Sequence, residues 1–176
     1  MKKTEIILLK GDITERETNA IINTANNRLI LGSGLGGAIK AKGGSSIAQE
    51  CSRYGVVEIG EAVLTSGGTL KAGAVIHAVL SEYDGNITRE NIEKALRNSL
   101  KLAHRQRFNS LSIPDLSVGI SRFSPEICAD TVLRILKEFL SKRGRSLQRV
   151  EIVLWDMETL RLYKQKYAEI FGQESA

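Results

Sequence analysis

Residues 31–44 read LGSGLGGAIKAKGG, and this stretch contains six glycines among fourteen residues. Between the glycines lies a short run with apolar Leu35, Ala38 and Ile39, which is long enough only for a small helix. Glycines ahead of a helix let backbone N–H groups approach a ligand closely, and the helix start adds partial positive charge. The stretch therefore predicts a phosphate-binding loop; the alternative is that its glycines only make tight turns.

Strand and helix patterns alternate on both sides of this stretch. The predicted strands are residues 4–10, 20–24, 60–66, 74–80, 111–114 and 148–154. Helical patterns cover the short run after Gly34 with its continuation at 45–54, residues 88–107, the segment from 125 to near 144, and the segment after Asp156. About six strands alternating with about four helices predict an α/β fold, with helices on both faces of one sheet.

Several polar or glycine-rich positions come directly after predicted strands. Asp12, Asn26 and Trp155 do so, as do the loops at Gly34 and Gly119. Because sheets of this class bind ligands in the crevice at the carboxyl ends of their strands, we expect these positions to converge on one edge.

A second strand–loop–helix segment follows the strand at 111–114. Its loop spans residues 115–123, and Ser124-Pro125-Glu126 is typical of a helix start, with serine as N-cap and proline in the first helical position. This segment predicts a second anion site.

The chain length of 176 residues predicts one domain over residues 1–176. Its two cysteines, Cys51 and Cys128, lie far apart and without a CxxC pattern, so the sequence indicates neither a metal site nor a disulfide. A reduced, cytoplasmic protein is the simplest interpretation. No apolar stretch approaches the length that spans a bilayer, so we expect no membrane association.

The formal net charge of +5 makes the surface mildly attractive to polyanions. The basic residues are spread out, and only residues 142–145 form a compact run, which also suits a solvated helix end. Nucleic acid is therefore a possible partner that the sequence does not specifically indicate.

The glycine-rich stretch does not fit two common phosphate-binding motifs. Gly32, Gly34 and Gly37 match G-x-G-x-x-G, but seven residues separate them from the preceding strand and no acidic residue ends a following strand clearly. A Walker loop fails because Ala38 and Ile39 follow Gly37 where Lys and Ser/Thr belong. His77 lies inside a predicted buried strand, where a lone histidine is more often a hydrogen-bonded core residue than a base.

The order and spacing of several motifs resemble the macrodomain family over nearly the whole chain. These motifs are GDIT at 11–14, AIINTANN at 20–27, GSGLGGAI at 32–39, GEA at 60–62, VIH at 75–77 and SVGI at 117–120. The resemblance implies a three-layer α/β/α sandwich with a mixed, about six-stranded central sheet. It also implies that the ligand is ADP-ribose and that no cofactor is needed.

The resemblance also assigns roles to individual residues. Asp12 accepts a hydrogen bond from the adenine amino group, Ile13 packs beside it, and Asn26 bonds the distal ribose as the one implied catalytic residue. Trp155 stacks on the adenine; the alternative for Trp155 is a place in the core. The two loops enclose the diphosphate through Gly34, Leu35, Gly36, Gly37, Ser117, Val118, Gly119, Ile120 and Ser121.

This chain departs from the family at two places. Many members carry an aromatic residue and then a glycine after the isoleucine of the second loop, where this chain has Ser121 and Arg122. Members that remove ADP-ribose from acidic side chains often have an aspartate where this chain has Gly36.

Three functions follow as alternatives. The first is hydrolysis of a bond at the distal ribose of an ADP-ribosylated protein or nucleic acid, or of O-acetyl-ADP-ribose. The second is a non-catalytic reader of free or attached ADP-ribose. The third, which has less support, is nucleic-acid binding through the positive surface.

Overall fold

The computed structural model describes residues 4–117, 123–142 and 146–172. The strands are β1 (Glu5–Lys10), β2 (Ala20–Asn26), β3 (Ala62–Ser66), β4 (Ala74–Ser81), β5 (Ser110–Pro114) and β6 (Arg149–Leu154). The helices are α1 (Gly34–Gly43), α2 (Ser45–Ser52), α3 (Arg89–Arg105), α4 (Pro125–Ser141) and α5 (Met157–Phe171), and a short 3-10 helix covers Ile13–Glu15. No helix in the described part of the chain is long and apolar enough to cross a membrane.

The six strands form one mixed sheet in the order β1-β6-β5-β2-β4-β3. Only β3 is antiparallel to its neighbour; the other pairs are parallel. Parallel neighbours require crossover connections, and these place helices on the faces of the sheet. All eight residues of β4 are buried, as a strand covered on both faces requires. The predicted α/β class and the mixed six-stranded sheet are confirmed.

Two apolar clusters lie on opposite faces of the sheet. Successive residues of a strand alternate between them: Ile22 and Ile76 belong to the cluster under α3, α4 and α5, and Ile21 and Val75 to the cluster under α1 and α2. The expected three-layer arrangement is therefore present.

The turn between β3 and β4 packs against the last turn of α1. The Thr69 backbone N–H donates to the Gly43 carbonyl oxygen at 3.0 Å, and the Thr69 hydroxyl donates to the Lys42 carbonyl oxygen at 2.7 Å. Gly68 has a φ of +55°, and a Cβ atom there would overlap the Gly43 carbonyl oxygen. Position 68 therefore requires glycine for both its conformation and its lack of a side chain.

A buried carboxylate lies in the middle of β6. The Glu151 side chain is 2% exposed, and Arg16 binds it with two hydrogen bonds, from Nε at 2.7 Å and from Nη2 at 3.0 Å. The Ser112 hydroxyl also donates to Glu151, at 3.1 Å. The Arg16 guanidinium and burial have opposite effects on the pKa of Glu151, and the guanidinium prevails, so the pKa is lowered.

Candidate functional site

The carboxyl ends of the five parallel strands meet at one edge of the sheet. Asp12 follows β1, Trp155 follows β6, Ser117 follows β5 and Asn26 ends β2. The strand order places these positions along the edge in that sequence. Asp12 and Asn26 are separated by three strand spacings, or about 14 Å. Four predicted site residues thus share one edge and outline an elongated site.

Asp12 is the N-cap of the 3-10 helix. Its Oδ1 accepts hydrogen bonds from the Thr14 backbone N–H at 2.9 Å and from the Thr14 hydroxyl at 2.6 Å, and its Oδ2 accepts one from Lys42 Nζ at 2.7 Å. Burial opposes ionisation of Asp12, but these hydrogen bonds outweigh it and lower the pKa. Asp12 is therefore an ionised acceptor whose side chain is about one-third exposed. Ile13 beside it is buried in the core under α1, and its contact with a ligand stays a prediction.

Trp155 is the neighbour of Asp12 along the edge. The Gly11 backbone N–H donates to the Leu154 carbonyl oxygen at 2.9 Å, which ties the two segments together. The Trp155 residue is 73% exposed, so the alternative of a core tryptophan is wrong. An indole in this position has its face available to a planar group.

The glycine-rich stretch forms the small helix that the sequence predicts there. Helix α1 starts at Gly34, so positions 34–37, which the resemblance assigns to a loop, form its first turn. Ser33 is the N-cap but makes no side-chain capping hydrogen bond, whereas the N-cap side chains of α3, α4 and α5 all do. The first-turn N–H groups of α1 therefore lack the partner that a capping side chain provides. Such groups favour an anion.

Position 36 has room for a Cβ atom, although the residue is buried. A Cβ atom on Gly36 would lie 3.5 Å from Leu31 atoms and 3.9 Å from Asn23 Oδ1, which are ordinary contact distances. At Gly37, by contrast, a Cβ atom would lie 3.0 Å from the Gly32 carbonyl oxygen. Position 36 therefore accepts the Cβ atom of an alanine without a clash.

We expect Gly36→Ala to raise the free energy of unfolding by about 0.5–1 kcal/mol, because alanine has the higher helix propensity and meets no clash. Thermal or urea denaturation measures this. Gly37→Ala is the matched control, since its methyl group must displace backbone, and it should not stabilise the protein. Equal effects of the two substitutions would contradict this account of the first turn.

The Asn26 side chain hydrogen-bonds to the backbone of the loop that follows β2. Its Oδ1 accepts from the backbone N–H groups of Arg28 at 3.1 Å and Ile30 at 3.2 Å, and its Nδ2 donates to the Ile30 carbonyl oxygen at 2.9 Å. The side chain thus shapes the loop and uses one of its two N–H donors for it. Its role at a ribose stays a prediction. A cavity of about 220 Å³ adjoins this loop and is lined by Arg28, Leu29, Ile30, Leu31, Lys40, Ala48 and Ser52.

Ser117 stands at the start of the second predicted loop. Its backbone N–H donates to Asp115 Oδ1 at 3.0 Å, and its hydroxyl donates to the same carboxylate. Tyr163 of α5, fully buried, donates to Asp115 Oδ1 at 3.4 Å. Asp115 therefore fixes where the loop begins. The predicted contacts of Val118, Gly119, Ile120 and Ser121, and the role of Arg122, lie outside the described residues.

His77 is a core residue, as its sequence context indicates. It is fully buried, its Nδ1 lies 3.1 Å from Asn23 Nδ2, and its Nε2 lies 2.9 Å from the Thr65 hydroxyl oxygen. Burial lowers its pKa to about 4, so the ring is neutral at physiological pH. Asn23 Oδ1 has no partner among the described residues.

Two contributors to the site carry no local signal in the sequence. Lys42 bonds Asp12 across 30 positions, and Tyr163 bonds Asp115 across 48. Both pairs form only when separate elements pack together, so spacing along the chain does not reveal them.

Comparisons with known proteins place this sequence and fold in one family. A family model described as Macro domain matches residues 22–132. A macro domain-containing protein of Cupriavidus necator is 37% identical over 172 residues, which are 94% of this chain and 99% of the relative. The ADP-ribose glycohydrolase MACROD2 of Xenopus laevis is 34% identical over 173 residues, covering 97% of this chain and 41% of that protein.

A solved structure shows the same fold. The Trypanosoma brucei macrodomain in complex with ADP-ribose superposes with a TM-score of 0.83 at 26% identity, covering 91% of this chain and 68% of that one. The family match extends over more than half of the chain, and the bacterial relative is matched over nearly its whole length. The chain belongs to the macro domain family.

Proposed function

We propose that this protein binds ADP-ribose, free or attached to a macromolecule, along the carboxyl edge of its sheet. The order of groups on that edge is the observation that carries the proposal. An ionised carboxylate and an exposed indole, Asp12 and Trp155, adjoin at the β1 and β6 end. The amide of Asn26 stands at the end of β2, and the uncapped start of α1 follows that strand in the chain. Such an order suits adenine, diphosphate and distal ribose in turn, and the Trypanosoma brucei complex supports this ligand.

The proposal extends to hydrolysis of a bond at the distal ribose. The substrate is an ADP-ribosylated protein or nucleic acid, or O-acetyl-ADP-ribose. Asn26 orients the ribose, the helix start and the second loop hold the diphosphate, and a water held by phosphate oxygens attacks. Positioning and fixed dipoles accelerate such a step without a dedicated general base. The glycohydrolase named among the relatives supports this reaction class.

A non-catalytic reader of ADP-ribose is the second candidate. Gly36 supplies no carboxylate beside the distal end of the site, and the side chain of Asn26 is already engaged by its own loop. Both observations favour binding without turnover.

One experiment separates the two candidates. Calorimetry with ADP-ribose tests binding, and the same protein is then incubated with an ADP-ribosylated protein, an ADP-ribosylated oligonucleotide and O-acetyl-ADP-ribose. Product release above buffer supports the hydrolase, and binding without release supports the reader. Absence of heat and of turnover together would reject the proposed function.

Asp12→Ala should weaken ADP-ribose binding by about tenfold or more, because a charge-assisted hydrogen bond to the adenine amine is lost. Calorimetry at pH 7 measures the change. Asp84→Ala is the control, since Asp84 is an exposed carboxylate in the loop between β4 and α3. Unchanged affinity in Asp12→Ala would remove the assigned role at the base.

The two cysteines support a reducing compartment such as the cytoplasm. Both are free and buried, and burial raises the pKa of Cys51 to about 11 and that of Cys128 to about 12. Neither thiol therefore forms a reactive thiolate at neutral pH.

A further inference from the structure

Lys42 ties the end of helix α1 to the segment after β1. Its Nζ donates to Asp12 Oδ2 at 2.7 Å and to Glu15 Oε1 at 2.8 Å. Glu15 also pairs with Lys71, at 3.2 Å. The backbone of Lys42 is itself fixed, because its carbonyl oxygen accepts the hydrogen bond from Thr69. The Lys42 side chain is thus held at its backbone end and at its ammonium end.

These contacts nearly fill the acceptor capacity of Asp12. An ionised carboxylate offers about four acceptor positions, two on each oxygen. Thr14 occupies both positions on Oδ1, and Lys42 occupies one on Oδ2. One position on Oδ2 remains for a ligand. Its direction is set by the donors that hold the other three.

We propose that Lys42 is a positioning residue for base recognition, which holds the Asp12 carboxylate in a fixed orientation for the exocyclic amine of adenine. This inference rests on the proposed function. Lys42 acts through Asp12 and does not contact the ligand. The ligand atom that binds Asp12 must be a hydrogen-bond donor, since an acceptor atom there would be repelled by the carboxylate.

Removal of the ammonium group changes the electrostatics around Asp12 in a defined direction. Among the described residues, Lys42 from α1 is the cation that binds Asp12; it also binds Glu15 of the 3-10 helix, which pairs with Lys71. Lys42→Met removes the cation and the hydrogen-bond donor that lower the pKa of Asp12. The protonated form is then less disfavoured, so the pKa of Asp12 rises. The carboxyl group also loses one of the donors that fix its rotation.

The test is ADP-ribose binding by wild type, Lys42→Met and Lys42→Arg, measured by calorimetry from about pH 4 to 8 at constant ionic strength. We expect Lys42→Met to bind about three- to tenfold more weakly at pH 7. Its loss of affinity on acidification should begin at a higher pH than in wild type, because the Asp12 carboxyl group has lost its cation. Lys42→Arg keeps a cation within reach and should recover most of the affinity. Equal affinity of Lys42→Met and wild type at every pH would overturn the inference.

Two further measurements keep this result distinct from general damage and from failure of the proposed function. Lys71→Met removes one exposed cation from the same chain of ion pairs without touching Asp12, and it should bind as wild type does. An NMR titration of the Asp12 carboxyl carbon, without ligand, should show a higher pKa in Lys42→Met. An unchanged pKa overturns the role of Lys42 even if the protein binds nothing, whereas a wild type that fails to bind ADP-ribose overturns the proposed function.

Discussion

Gly68→Ala is expected to lower the free energy of unfolding by about 3 kcal/mol or more. The residue has a φ of +55°, a region that costs an alanine roughly 1 kcal/mol. Its methyl group would also overlap the Gly43 carbonyl oxygen, which cannot move aside without losing the hydrogen bond from Thr69. The added methyl group therefore separates the β3–β4 turn from α1, and denaturant titration followed by circular dichroism measures the cost.

Gly55→Ala is the control for backbone conformation alone. Gly55 has a φ of +67°, but a Cβ atom there meets nothing within 4 Å. Its cost should stay near 1 kcal/mol, roughly that of the left-handed conformation. If both substitutions cost the same, the close approach of the turn to α1 contributes nothing measurable to stability.

Arg16→Met is expected to lower the free energy of unfolding at pH 7 by about 3 kcal/mol. The substitution leaves the Glu151 carboxylate buried with only the Ser112 hydroxyl and, at 3.5 Å, Arg149 as partners. The Arg16 side chain is 34% exposed. We therefore expect a cost at the lower end of the range for removing one partner of a buried ion pair. Urea denaturation gives the value.

The double substitution Arg16→Met with Glu151→Met tests the cause. Replacing both partners removes the unpaired charge and should recover most of the lost stability. A double variant as unstable as Arg16→Met alone would show that lost packing, and not charge, is responsible.

The cost of Arg16→Met should also depend on pH. The pKa of Glu151 is lowered in the folded protein from its ordinary value of 4.5. A lowered pKa contributes stability that is present above the ordinary value and is lost as pH falls through the folded one. Wild type and Arg16→Met should therefore become more alike in stability as the pH drops below about 4.5.

The element order was predictable because it depends on local periodicity. The predicted helix at 88–107 is α3 (Arg89–Arg105), and Thr88 caps it with its side chain. The predicted strand at 20–24 continues to Asn26, since main-chain pairing with β4 carries it past the polar residues, with a bulge between Ala25 and Asn26. Polar side chains interrupted the apolar run without interrupting the strand.

The start of α1 was harder to predict for a physical reason. Glycines disfavour a helix, so positions 34–37 were also assigned to a phosphate-binding loop, yet α1 includes Gly34, Gly36 and Gly37. Ile39 of this helix is fully buried against the sheet-side core, and such tertiary packing outweighs weak propensity. The ion pair of Lys42 with Asp12 joins positions 30 apart, so only the assembled fold reveals it.

The exposure of Trp155 gives the protein an intrinsic optical probe. Trp155 is the single tryptophan of the chain, so indole fluorescence comes from one point on the carboxyl edge of the sheet. The ring already faces water in the folded protein, and unfolding therefore changes its surroundings little. A base stacked on it would shield it from solvent and alter its emission. The tryptophan signal thus follows occupancy of the site more closely than it follows denaturation.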